Sequence, residues 1–485
     1  MAMYYLLEIA WISCIMGIFF LIIKKFIRQR RKCEPPIVSG NIIFGSALDF
    51  NKDASIFLRE SKKKYGEIFT IRLINQYITI IMDPNCIEGM NAEKHFDFEP
   101  IQKQVNLNVF NFILRDPRTI VKETGKAIRG KRLQDSMKQF ITNLHNACDN
   151  IKIDEESIDT IYPLQKFTVD TAFAAIFNSI FGNSIDHPFN SSMVFKNFDF
   201  FHKYFNYLWL GIPLRWFPKA GIALKNILTM PNSTELLARD DLSSYIRIAI
   251  EHMIKNGQSE ADIKGHNLVY LHVNYVIIKV VFWILNNLIE DSNAMDALLK
   301  EIDSILTKKI VDENGDINLS IEDIESMEIL NSIVHETCRM ASGVFVVRYV
   351  TEDTWFTMND GLKYLIRKGD RVAIYPPAIH KDPEIFKDPA VFKYDRFIDK
   401  NFYYNNNIIK HPVMTFGALC PGKKYATLQI KWYIITILTR FTLKKISPHC
   451  AKYDYSYHGH EILPPIADIP IKFCHKKSFP KLLFC

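Results

Sequence analysis

Apolar residues recur at helical spacing through most of this chain and switch to alternating or continuous runs in a few short stretches. Ala54–Tyr65 reads as an amphipathic helix. Ile68–Leu73 and residues 77–82 are β-rich runs separated by Ile74-Asn-Gln76, which predicts a hairpin. Residues 119–144 have a helical, strongly basic pattern carrying Lys122, Lys126, Arg129, Lys131 and Arg132. Residues 161–181, 195–210 and 236–254 predict three further helices, punctuated by Pro213 and Pro231. Residues 266–290 are apolar nearly all round, the signature of a helix through the middle of a protein, and His272, Asn274 and Lys279 are its polar insertions. Helical spacing resumes at 301–307 and 330–340, with a turn at Asp312-Glu-Asn-Gly-Asp316 between them. The runs 344–349 and 371–375 predict strands, the second ended by Pro376-Pro377, and 427–441 predicts a last helix.

The beginning of the chain has a different pattern. Residues 3–23 are apolar except for Glu8, long enough to span a hydrocarbon core, and Lys24, Lys25, Arg28, Arg30, Arg31 and Lys32 follow at once. The positive-inside bias then predicts a retained single-pass anchor over 1–32, with residues 33–485 forming a cytosol-facing domain. Cys33-Glu-Pro-Pro-Ile37 is a stiff extended spacer, because each proline fixes its own φ and restricts its predecessor. Beside a membrane, the aromatic run Phe201, Tyr204, Phe205, Tyr207, Leu208 and Trp209 reads either as core or as the lining of an apolar access route.

Composition changes this picture little. A hydrophobic share of 48% excludes disorder, and the 485 residues suffice for a large core. The net charge of +7 is dispersed apart from the N-terminal cluster, so no nucleic-acid surface is expected. Nine cysteines without a CxxC pair fit mostly free thiols in a reducing compartment. Sequons at Asn190, Asn232 and Asn318 are expected by chance in an Asn-rich chain.

The chemistry concentrates towards the end. Cys420 lies in Phe416-Gly-Ala-Leu-Cys-Pro-Gly422, directly before the last predicted helix, where unpaired backbone N–H groups stabilise a thiolate. Glu336 and Arg339 are three apart on a helix and so share a face. Arg348 follows nine residues later, and Arg396 lies at the end of a proline- and aromatic-rich meander through His380-Lys-Asp-Pro383, Asp388-Pro389 and Phe392-Lys-Tyr-Asp-Arg-Phe397, a plausible third partner for that pair.

In this order, ExxR, an aromatic-Arg meander and a Cys-Pro-Gly loop resemble the microsomal cytochrome P-450 superfamily across essentially the whole chain. Within it the chain looks most like the branch containing sterol 12α-hydroxylase and prostacyclin synthase. Glu34-Pro-Pro36, Gly45-Ser-Ala-Leu-Asp-Phe50, Lys64-Tyr-Gly-Glu-Ile-Phe-Thr70, Met82-Asp-Pro84, Asp382-Pro-Glu384 and the stretches around Gly459 and Asp468 add to that likeness. The resemblance implies a mainly α fold with small β-sheets (α+β) in a single large haem domain behind the anchor, at the endoplasmic reticulum membrane. It implies haem as cofactor, with Cys420 as the iron ligand, Gly422 N–H directed at the sulfur and Phe416 opening the loop. It further implies Arg348 and one of Lys126 or Arg129 on the propionates, and Glu336, Arg339 and Arg396 as a structural triad.

Two departures accompany the likeness. The Cys loop is three residues shorter than the family's, which requires a tighter turn. The central helix carries Tyr275-Val-Ile-Ile-Lys279 where relatives have a glycine-containing kink that opens an oxygen groove. Asn274 and Lys279 are the polar residues left there, Asn274 being the catalytic candidate and Lys279 expected to snorkel to the surface. Three functions follow as expectations. The first is a monooxygenase that takes electrons from NADPH-cytochrome P-450 reductase and hydroxylates a sterol or other lipid. The second is a haem-thiolate isomerase of a lipid peroxide, and the third a haem- or lipid-binding relative without turnover.

Overall fold

The computed structural model describes residues 28–151, 160–183, 189–417, 420–446, 448–457, 461–476 and 479–485. The expected membrane segment at 3–23 and Gly459 lie outside the described residues. The described chain forms two compact units, one of residues 28–98, 345–385 and 403–412, the other of residues 99–344, 386–402 and 413–485 apart from the gaps just given.

The smaller unit is built on a five-stranded sheet. Its strands are β1 (Ile68–Leu73), β2 (Gln76–Ile81), β3 (Phe96–Asp97), β4 (Val346–Val350) and β5 (Arg371–Ile374), in the order β1-β2-β5-β4-β3. The predicted hairpin is β1–β2, running from Ile68 opposite Ile81 to Leu73 opposite Gln76. The β-branched residues of this pair are buried, and the Thr70 and Thr79 hydroxyls meet at 3.0 Å inside the sheet. Helix Ala54–Tyr65 packs beside β1, capped by the Asp53 carboxylate, which accepts from Ile56 N–H.

The larger unit is helical. The helices that carry its chemistry are α1 (Pro117–Ala127), α2 (Gly130–Asp149), α3 (Ser191–His202), α4 (Glu260–Glu290), α5 (Glu328–Ala341) and α6 (Lys423–Arg440). Helix α4 starts at a Ser259/Asp262 capping box and runs 31 residues without a break. It is long and apolar enough to cross a bilayer, but most of it is buried among other helices, α5 and α6 above all. Burial on all sides explains why its pattern shows no polar face.

Four predicted helices are broken or shortened in the structure. The run 119–144 is two helices, because Arg129 is extended and Gly130 turns left-handed at φ +57°. The run 161–181 becomes helical only at Leu164, since Thr160–Pro163 pairs as a strand with Pro470–His475, and Val169–Phe173 forms a π-helical turn. The run 236–254 breaks at Asp240-Asp241, where the Asp241 carboxylate accepts from Asn183 N–H. The aromatic run 201–209 also divides, between α3 and Phe205–Trp209. Phe201, Phe205 and Leu208 are buried in the core while Tyr207 is exposed.

Candidate functional site

Glu336 is completely buried in α5 and collects two guanidinium groups. Arg339, one turn on, donates Nε and Nη2 to its carboxylate at 2.8 and 2.9 Å. Arg396 donates Nε to both oxygens at 2.9 Å, and Lys393 N–H adds a bond of 3.1 Å. Other guanidinium donors go to backbone carbonyls: Arg339 Nη1 to Pro389, and Arg396 to Lys387, Asp388 and Val391. Every carbonyl in that set belongs to the meander. The cluster therefore fixes the meander on α5, and Phe397 N–H adds a bond to the Ser332 hydroxyl. The guanidinium of Arg339 also covers the Phe386 ring at 5.1 Å.

The same helix anchors the cysteine loop. Thr415 Oγ1 donates to the Cys338 carbonyl at 2.9 Å, one residue before Arg339. Gly417 N–H then closes a turn on the Met414 carbonyl at 2.8 Å with Gly417 at φ +56°. A residue without Cβ adopts that conformation with the least strain. Phe416 packs against the core from this turn.

Cys420 precedes the first turn of the 18-residue α6. Although the residue presents surface to solvent, loss of hydration around the thiol raises its pKa, and the Gly422 and Lys423 N–H groups pull it back down. Metal coordination deprotonates such a thiol outright. Helix α1 comes close on one side: a Cβ placed on Gly125 would lie 3.8 Å from the Pro421 ring, and one on Gly422 would lie 3.9 Å from Ile128 and 4.0 Å from Cys420 Sγ.

The other expected residues are placed as follows. Lys126 is exposed and pairs with Glu123 at 2.7 Å, and Arg129 is exposed at the start of α2. Arg348 belongs to the smaller unit, on β4. It donates to the Val347 carbonyl and to Asn91 Oδ1, faces the Phe98 ring, and has no carboxylate within ion-pair distance among the described residues; burial lowers its pKa. Asn274 Nδ2 is tied to the Tyr270 carbonyl on its own helix at 2.8 Å. The donor chemistry of the larger unit fits a haem: a soft sulfur ligand at a helix N-terminus, with exposed cations suited to carboxylates.

Lys279 is a correction. It is 5% exposed and does not reach the surface, because its face of α4 is covered by Tyr275 and Tyr457, whose rings lie 4.7 and 4.4 Å from Nζ. Nothing in the sequence had joined it to His202 or Glu461, which the fold brings to the same side of α4.

A family model described as Cytochrome P450 matches residues 278–457. Cytochrome P450 7A1 of Oryctolagus cuniculus is 29% identical over 481 residues, covering 93% of this chain and 95% of that protein. The 5-beta-cholestane-3-alpha,7-alpha-diol 12-alpha-hydroxylase of Sus scrofa is 28% identical, covering 88% and 90%. Prostacyclin synthase of Rattus norvegicus is 26% identical, covering 92% and 94%.

Proposed function

We propose that the chain is a haem-dependent enzyme of the cytochrome P-450 superfamily, the family whose model matches residues 278–457, and that it is a monooxygenase acting on a sterol or a similar lipid. When bound, the haem supplies the chemistry of oxygen activation. In this reading Cys420 would hold the iron, the Gly422 and Lys423 N–H groups would set the basicity of the sulfur, and Arg348 and one of Lys126 or Arg129 would hold the propionates. The Glu336 cluster and the Thr415 bond hold the loop that carries Cys420, so that the sulfur keeps one position. The observation that carries the proposal is this clamp: two successive elements, the meander and the cysteine loop, are tied to the same turn of α5. The sterol class rests on the relative whose name is that of a 12-alpha-hydroxylase of a cholestane diol. The same reading includes an endoplasmic reticulum anchor at 1–32 and electrons from NADPH-cytochrome P-450 reductase.

A second reading is favoured by one feature. Helix α4 contains no Ser or Thr and continues unbroken for 31 residues, so it lacks the aliphatic hydroxyl that would relay protons. Rearrangement of a lipid peroxide, which needs neither reductase nor delivered protons, tolerates such a helix, and prostacyclin synthase is among the relatives.

Two measurements test this. The reduced, carbon-monoxide-bound protein should show the red-shifted Soret band of a thiolate haem, and Cys420→Ala should abolish it; a band that survives in the variant refutes the assignment of the ligand. Sterol hydroxylation that requires NADPH and reductase supports the first reading, whereas turnover of a lipid peroxide without them supports the second.

A further inference from the structure

The segment that follows the basic cluster is not a free spacer. Glu34 is completely buried in the smaller unit, where both its oxygens accept from the Arg367 guanidinium. Arg31 N–H adds a bond of 2.9 Å, and Arg28 pairs with the same carboxylate at 3.3 Å. Arg28 also pairs with Asp370, and its backbone N–H donates to the Tyr77 hydroxyl at 3.1 Å. Backbone bonds of 2.8–2.9 Å continue the attachment: Leu365 N–H donates to the Cys33 carbonyl, Thr70 N–H to the Pro36 carbonyl and Val38 N–H to the Thr70 carbonyl. Residues 28–38 are thus stitched to the folded unit along their length. Five steps of chain separate Ile23, where the apolar segment ends, from Arg28, a reach of at most about 18 Å. With residues 28–38 undocked, the reach from Ile23 to Val38 would be about 50 Å.

That short reach ends beside an exposed apolar group. Tyr77 opens β2 and Asp370 precedes β5, so Arg28 sits at the end of the sheet where the β1–β2 turn lies. Ile74 in that turn is 38% exposed, and Ile43, Phe44 and Leu48 are 52%, 43% and 60% exposed. Ile74 N–H donates to the Phe44 carbonyl at 3.1 Å, which joins the turn to the loop, and Leu48 follows on the short helix Ala47–Lys52. Arg72 braces the loop from behind. Its guanidinium donates to the carbonyls of Asn41, Ile42, Ile43 and Ile74 at 2.6–3.0 Å, while Asn41 Oδ1 accepts from the Ile43 and Phe44 N–H groups. The side chains therefore stand out while the backbone behind them is satisfied internally, the condition for entering an apolar medium. Apolar side chains grouped on a braced loop mark an interface.

We propose that Ile43, Phe44, Leu48 and Ile74 insert into a phospholipid surface, and that the ion cluster on Glu34 holds the smaller unit against it. The inference rests on the anchor reading of residues 1–32 and goes beyond it. An anchor followed by a free spacer would let the domain stand clear of the membrane, and the docking of residues 28–38 removes that freedom. Lipid is the occupant because of where the apolar segment ends. The interfacial layer is about 5–8 Å deep on each side of the hydrocarbon core, so a reach of at most about 18 Å keeps Arg28 and the neighbouring turn close to it. Residues 3–23 are a poorer occupant, because they are apolar almost throughout and four side chains cannot cover them.

The test is photolabelling of the full-length, haem-loaded protein in phosphatidylcholine vesicles. The probe is a phosphatidylcholine with a diazirine on the upper part of one acyl chain, and adducts are located by peptide mass spectrometry. Ile408 is the internal reference: it is 54% exposed in the same unit but lies beside Pro84 and Ile87, beyond the end of β2 that is far from the turn. Residues 43–48 and 74 should carry ~10-fold or more label than Ile408, the preference expected from burying even one such side chain. In Phe44→Asp the label at Ile74 should fall to the level of Ile408 while residues 3–23 stay labelled. Label on 3–23 with none above the reference at 43–48 and 74 overturns this inference and leaves the anchor reading intact, a comparison that needs no variant to fold. Label at Ile74 that is unchanged in Phe44→Asp also overturns it. Label on neither stretch, as when residues 3–23 cover the group instead, overturns both ideas. Label at 43–48 and 74 without label on 3–23 sinks the anchor reading alone.

Discussion

At the scale of single residues, Glu336 is where the buried charge of the larger unit converges. Removing its carboxylate leaves the buried charges of Arg339 and Arg396 without their shared counter-charge, although carbonyl oxygens still accept from both. Glu336→Ala should therefore cost about 3–5 kcal/mol, read as a lower urea midpoint together with less haem retained per chain. A loss below about 1 kcal/mol would mean that the carbonyls alone sustain the two cations. This cluster was largely readable before the fold was known. Glu336 and Arg339 declare a shared helix face by their spacing, and Arg396 announces itself by ending an aromatic, proline-rich meander that cannot be helical. The cluster around Lys279 was not readable. Its members come from three segments whose meeting no local pattern encodes, and a lysine on an apolar helix satisfies the rule for snorkelling as well as it satisfies the rule for burial.

At the scale of elements, helical periodicity found where helices are and failed to find where they stop. Helix α4 was legible because its pattern is continuous and long. The break between α1 and α2 was missed because apolar spacing continues across it, and the deciding feature is one glycine at φ +57°. Gly130→Ala should destabilise the protein by about 1–2 kcal/mol, seen as a lower thermal midpoint. An unchanged midpoint would show that α1 and α2 can join into one helix. Such joining would also shift Ile128, whose Cδ1 stands 3.9 Å from a Cβ built on Gly422, so the Soret band of the loaded protein is a second reading of the same change. The strand at Thr160–Pro163 was missed for a different reason. Its partner is Pro470–His475, some three hundred positions away, and pairing of that kind leaves no mark on the short run itself.

At the scale of the whole molecule, the helix-rich class with small sheets was evident from periodicity and resemblance, whereas the two-unit division was not, since each unit is stitched from separated stretches of chain. One property of the assembled protein follows from His266 in α4. The ring is buried against Phe112 and Tyr270, its Nδ1 has no hydrogen-bond partner among the described residues, and burial lowers its pKa to about 3. The unfolded chain binds a proton there near pH 6.5 and the folded chain does not. Stability from this group is therefore complete above pH 6.5 and declines as the pH falls towards 3, by about 1.4 kcal/mol per pH unit. Urea titrations at pH 7 and pH 5 should show His266→Phe losing about 2 kcal/mol less than the unaltered protein over that interval; equal losses would place a charged imidazole inside the fold. The Glu336 cluster carries a last consequence, for the order of folding. Sixty residues separate Glu336 from Arg396, and closing a loop of that length costs about 3.6 kcal/mol of chain entropy beyond a constant. Until the meander arrives, Glu336 and Arg339 gain more from water than from the interior. The α5 face beneath Cys420 is thus sealed late, and any delay in delivering Arg396 keeps it hydrated in the nascent chain.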